Sequence, residues 1–264
     1  MSQWIFAICF LLACSVNPVA KAAVVVFQEF DARETTALRT SDRFLELLKR
    51  RPTFGTALER VSTFHTERGT LDELISQLRN VPSNQPDSVV QWLIAGMLEI
   101  QRGQGADVVD SLQSIELKRP EDPVVSYALG LALRDSGNIS AATEAFRRAV
   151  QKQPTKSDLR AICHELARLH SRAGEAQRAL EVWQQLEAAF PDDRAVLEDV
   201  AARLQANGQL QAALQRWQKL AANVSNRDER TKYQLSIAEL QLRLGQHENA
   251  LKTLESELER IRPG

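Results

Sequence analysis

Cysteine is scarce: 264 residues contain three, at Cys9, Cys14 and Cys163. The first two fall in one apolar run at the amino end. Cys163 is then alone in the remainder, so no internal disulfide can hold the fold. Charge of one sign is also missing, since 33 Lys and Arg stand against 34 Asp and Glu for a formal net charge of −1. That balance excludes the basic footprint of a nucleic-acid binder. A local excess of nine basic over five acidic residues between Arg134 and Arg178 reads as a solvated helix face. The longest apolar run, Trp4 to Val16, has 13 residues, short of the roughly 20 that span a bilayer. No strand pattern follows Phe27. A hydrophobic content of 44% excludes disorder, so the core must come from helix packing.

Catalytic and metal-binding patterns are missing as well. His164-Glu165 resembles the start of a zinc-protease helix motif, but Arg168 stands where the second histidine is required. Cys163 and His170 share a helix face but lie about 10 Å apart along the axis, too far for one metal, and Cys163 reads as a buried, inert core residue. Gly103-Gln104-Gly105 lacks the lysine of a phosphate-binding loop. No carboxylate pair stands out from ordinary surface charge. The expectation is therefore no catalytic residue, no metal, no cofactor and no enzymatic activity. A helical enzyme such as a cell-wall glycosidase on a superhelical support would need a non-repeat catalytic domain, and no segment is long enough to hold one.

What the chain does have is a glycine on a fixed step: Gly69, Gly103, Gly137, Gly174, Gly208 and Gly245, at intervals of 34, 34, 37, 34 and 37 residues. A small residue stands seven places earlier: Ser62, Gly96, Gly130, Ala167, Ala201, Ala238. A large apolar residue stands nine places later: Leu78, Leu112, Phe146, Trp183, Trp217, Leu254. Pro86, Pro120, Pro154 and Pro191 follow at seventeen. Each glycine lies between two amphipathic stretches, where a turn needs positive φ. The small residues let two helix backbones approach, the large ones fill the gap between neighbours, and proline stops the second helix. Trp183 and Trp217 are thus core fillers. Three extra residues in each longer interval, near 156–159 and 228–230, predict a longer first helix or linker there.

This pattern resembles the tetratricopeptide repeat, a helix–turn–helix of about 34 residues. The segment 123–156 matches best, with Leu129-Gly130, Gly137, Ala142, Phe146, Ala149 and Pro154 in the family's places. The resemblance implies an all-α, right-handed α-solenoid with units 55–88 (degenerate), 89–122, 123–156, 160–193, 194–227 and 231–264. The family's first-helix aromatic is Trp92 in one unit only; Ser126, Cys163, Leu197 and Gln234 stand there elsewhere. The last unit has Glu257 where an apolar residue is usual, which implies a weaker far face there.

In that family the first helices line a concave groove. The resemblance implies inward positions at Leu93, Met97, Tyr127, Leu131, Arg134, His164, Arg168, Glu198, Ala202 and Glu239, a surface running from apolar through basic to acidic. Such a surface suits a peptide or helix with hydrophobic anchors and an acidic flank. The Lys and Asn clamp by which some members grip a terminal carboxylate is not reproduced.

The two ends carry further expectations. Trp4 to Val16, Pro18 and Ala20-Lys21-Ala22 read as a signal peptide of residues 1–22, cut before Ala23. Leu11-Leu12-Ala13-Cys14 supports the alternative of a lipoprotein anchored at Cys14. Residues 23–54 read as a lead segment and an amino-terminal capping helix from Asp42 to about Lys49, with Thr40 or Ser41 as its cap. At the other end the last repeat finishes at Pro263-Gly264. This exposes Leu240, Leu244 and Leu254 to water or to a docking partner. The reading is a non-catalytic protein–protein interaction scaffold, exported to the periplasm or secreted, that binds a protein segment in its groove, with neither nucleic acid nor a transmembrane span. The alternative is the amino-terminal module of a larger protein or complex whose activity lies in another domain or subunit.

Overall fold

The computed structural model describes residues 37–261, and every regular element among them is helical. The expected signal at 1–22, Cys14, the lead up to residue 36, and Pro263 lie outside the described residues. Residues 37–50 form α1. Next come α2 (Thr56–Glu67), α3 (Leu71–Arg79), α4 (Ser88–Gln101), a 3-10 turn (Gly105–Val108) and α5 (Val109–Lys118). Beyond them lie α6 (Pro123–Asp135), α7 (Ile139–Gln151), α8 (Lys156–Arg172), α9 (Ala176–Ala189), α10 (Arg194–Ala206), α11 (Leu210–Ala222), α12 (Arg227–Arg243) and α13 (His247–Ile261). Consecutive helices pack as hairpins, giving an all-α solenoid. The chain divides into two compact units, the first ending at Arg119 and the second beginning at Pro120.

The hairpin turn between α6 and α7 shows how the repeat is made. Gly137 has φ 80°, a conformation that costs any residue with a Cβ. Its N–H donates to Arg134 O at 3.0 Å and the N–H of Asn138 donates to Leu133 O at 2.9 Å, the two bonds of a Schellman motif. Asn138 then accepts from Ala141 N and starts α7. Equivalent long bonds close the other turns, such as Glu175 N to His170 O and Gln209 N to Leu204 O, both 2.9 Å. In the second unit the first helices are capped by side chains as well: Asp122, Thr155, Asp193 and Asn226 each accept from a first-turn N–H.

Packing follows the size pattern of the sequence. A Cβ on Gly130 would lie 2.4 Å from the Phe146 ring, so α6 and α7 touch closely there. Phe146, Trp183 and Leu112 are fully buried and Trp217 nearly so. The longer glycine intervals resolve as longer first helices, since α8 and α12 have 17 residues each and α6 and α10 have 13 each.

Three expectations need correction. Residues 37–50 are already helical, so Ser41 lies buried inside α1 and does not cap it. Leu240 is buried, because α12 packs against both α11 and α13. Leu244 and Leu254 are half-buried, and the large apolar residues that α13 leaves exposed are Leu251, Leu258 and Ile261. Glu257 does not weaken its face: it is buried and accepts from Thr231 Oγ1 at 2.5 Å and from Arg260. Those donors hold its carboxyl below the usual carboxylate range, the Arg260 hydrogen bond contributing most.

Candidate partner-binding face

In the second unit the first helices stand side by side, joined by polar side chains that reach from one repeat to the next. Arg134 on α6 donates to Glu165 on α8 at 2.7 Å, and Arg168 donates to the same Glu165 oxygen at 2.5 Å. Arg134 also grips Asp135 at 2.7 Å. Between α8 and α10, Arg160 donates to Asp199 at 3.1 Å and Lys156 pairs with Asp193. Between α10 and α12, Arg194 pairs with Glu229, Tyr233 donates to Glu198, and Gln205 donates to Glu239 at 3.2 Å. These bonds form a ladder along α6, α8, α10 and α12.

His164 and Tyr233 on the ladder titrate away from their ordinary ranges. Burial lowers the His164 pKa against the opposing pull of Asp199. Its Nε2 lies 2.6 Å from Asp199 Oδ2. Burial first, then the hydrogen bond to Glu198, pushes the Tyr233 hydroxyl up to about 12. Off the ladder, burial pushes the Cys163 thiol up to about 12, as expected of an inert core thiol.

The ten inward positions separate into two sets. Leu93 and Met97, on α4 of the first unit, are fully buried, and Tyr127 and Leu131 on α6 nearly so. These four are core residues and present no apolar anchor site, because α4 and α6 are covered around most of their circumference. Arg134, His164, Arg168, Glu198, Ala202 and Glu239 do reach solvent. The structure gathers Arg134 and Arg168 around Glu165. It sets Glu198 beside Arg194 and Tyr233, and Glu239 beside Gln205 and Arg243. Glu165, Asp199 and Arg194 belong to this face and were not singled out from the sequence. The signal that could have found them is opposite charge one repeat apart, as in Arg194 and Glu229. The groups neutralise one another, so the face offers exchangeable ion pairs; among the charged inward positions Arg168 and Glu239 are the most exposed (42% and 59%). Among the described residues no group of three or more His, Cys, Asp or Glu could hold a metal ion. No described helix is long and apolar enough to cross a membrane.

Two family models match the chain, both described as tetratricopeptide repeat, over residues 95–157 and 133–204. Together the two matches run from residue 95 to residue 204. No curated protein matches the chain. Among solved structures, a tetratricopeptide repeat protein from Parabacteroides merdae ATCC 43184 is 12% identical, over 85% of this chain and 81% of that one, with a TM-score of 0.49. The structure of MamA is 19% identical over 61% of this chain and 92% of its own, with a TM-score of 0.47. The APC/C hetero-tetramer Cut9–Hcn1 is 15% identical over 84% of this chain, with a TM-score of 0.47. This chain spans 43% of that last one, less than half its length.

Proposed function

We propose that the chain is a non-catalytic interaction scaffold that takes a protein segment along the ladder face of its second unit. The observation that carries this reading is the continuous, cross-bonded row of first helices, supported by the match of residues 95–204 to tetratricopeptide-repeat models. With Leu93, Met97, Tyr127 and Leu131 in the core, the partner is polar and of mixed charge. An acidic side chain would exchange with Glu165 at Arg168, and a basic one would meet Glu239. Electrostatic matching of this kind sets orientation and specificity more than raw affinity.

The test is capture by the full chain against a doubly charge-reversed variant, Arg168→Glu with Glu239→Lys. A partner held by the parent should bind the variant about tenfold more weakly, roughly 1.4 kcal/mol, with the helical content unchanged. Equal retention by both would refute the ladder face as the binding surface.

We further propose that the chain is exported. The support is the 13-residue apolar run followed by Ala20-Lys21-Ala22. Intact mass of the protein recovered from its native cells should correspond to a chain beginning at Ala23. A chain beginning at a diacylated Cys14 would instead establish the lipoprotein form, and an intact Met1 would rule out both.

A further inference from the structure

A cavity of about 350 Å³ lies in the first unit among α3, α4 and α5, lined by Arg79, Trp92, Gly96, Ser111, Leu112, Ser114, Ile115 and Lys118. It sits against the second helices α3 and α5, and none of its residues belongs to the ladder face. Its origin is a mismatch within the repeat pattern. Gly130 in the next repeat is covered by Phe146, against which a Cβ would lie 2.4 Å away. Gly96 holds the same place, but its covering residue is Leu112, and a Cβ there would meet Leu112 Cδ2 at 3.3 Å. The smaller filler leaves space open. The exposed serines Ser111 and Ser114 add no bulk to its rim.

The walls are chemically sorted. Trp92, Leu112 and Ile115 supply apolar surface. Trp92 is fixed in place because its Nε1 donates to Val81 O at 3.2 Å. Two cations and no acid line the cavity. Arg79 is answered by Glu99 at 2.5 Å. Lys118 Nζ lies 4.4 Å from the centre of the Trp92 ring and has no acidic partner among the described residues. An apolar pocket with one uncompensated cation at its edge favours an apolar ligand with one negative charge. Ligand cavities run from about 300 to about 1,000 Å³, so this one takes a fused ring or a short acyl chain.

We propose that this cavity binds a compact apolar group carrying a single carboxylate, its hydrocarbon body against Trp92, Leu112 and Ile115 and its carboxylate at Lys118. The site is separate from the ladder face, and either can fail alone.

The experiment follows the indole N–H resonance of Trp92 in the full chain, assigned by its loss in Trp92→Phe, during titration with naphthoate. The expected result is a saturable shift, about tenfold weaker affinity in Lys118→Met, and no saturable shift in Ser114→Phe, whose ring closes the mouth. Naphthalene methanol, the neutral analogue, should bind the parent as weakly as naphthoate binds Lys118→Met. Far-ultraviolet circular dichroism and the melting temperature of both ligand-free variants should match the parent and so report an intact fold. A short peptide ending in phenylalanine separates the two sources of such a carboxylate. Tighter binding of its free acid than of naphthoate assigns the ligand to a protein carboxyl terminus, and the reverse order assigns it to a free aryl or acyl acid. The proposal is overturned if millimolar naphthoate leaves Trp92 unmoved, or if both variants bind it as well as the parent.

Discussion

At the scale of single residues, Gly96 and Gly130 share a sequence role and differ in what touches them. Both sit where a small side chain lets the two helices of a repeat approach. Against Gly130 stands the rigid Phe146 ring at 2.4 Å from a would-be Cβ; against Gly96 stands the flexible end of Leu112 at 3.3 Å. Gly130→Ala should therefore overpack its repeat and cost about 1–3 kcal/mol. Gly96→Ala should be near neutral or stabilising, because alanine gains about 0.5–1 kcal/mol over glycine inside a helix. Each kcal/mol should move the melting temperature by about 2–4 °C in a chain of this size, and scanning calorimetry of the two variants checks the contrast. Equal shifts would mean that ring contact does not govern these sites. The sequence carried the common role of the two glycines, because spacing sets it. Their difference was not legible, since it depends on where a neighbouring side chain comes to rest.

Between elements, the ladder carries a pH dependence. His164 on α8 faces Asp199 and Arg203 on α10, with Arg160 one turn away on its own helix. Burial is the largest influence and lowers its folded pKa, whereas an unfolded histidine titrates near about 6.5. Between those two values the unfolded chain binds a proton that the folded chain does not, so stability rises with pH through that window. The contribution is complete above the unfolded value and is lost as pH falls below it. Urea midpoints of the parent should therefore drop from about pH 7.5 to about pH 5.5, and His164→Gln should drop less. Identical slopes would show that His164 does not titrate differently on folding. The charges of this face were legible one helix at a time: Arg134, His164, Arg168, Glu198 and Glu239 are all on it. Their cross-repeat pairing was not, because those partners lie a whole repeat away, as Glu198 does from Tyr233. The apolar half of the expected groove failed for a related reason. Periodicity places Leu93 and Tyr127 on one side of a helix, but only the packed neighbours decide whether that side is open.

Across the whole molecule, the glycine period fixes where each hairpin turns, and the 17-residue helices α8 and α12 absorb its two longer steps without disturbing the register. The division between Arg119 and Pro120 leaves no mark on that period, since Gly103 and Gly137 are still 34 residues apart. In a solenoid each repeat touches only its neighbours, so stability is close to a sum of local and nearest-neighbour contributions. A lesion should then spread with distance instead of acting everywhere at once. In Gly130→Ala, amide hydrogen exchange should quicken most in α6 and α7, less in α8 and α9, and least in α12 and α13. The ladder bonds and the Arg216–Glu187 pair, at 2.9 Å between α11 and α9, couple adjacent repeats and set how steeply the effect decays. Equal loss of protection from α6 to α13 would mean that the second unit opens all at once. Its cross-repeat bonds would then outweigh the hairpins they join, and the binding face would exist only when the entire unit is folded.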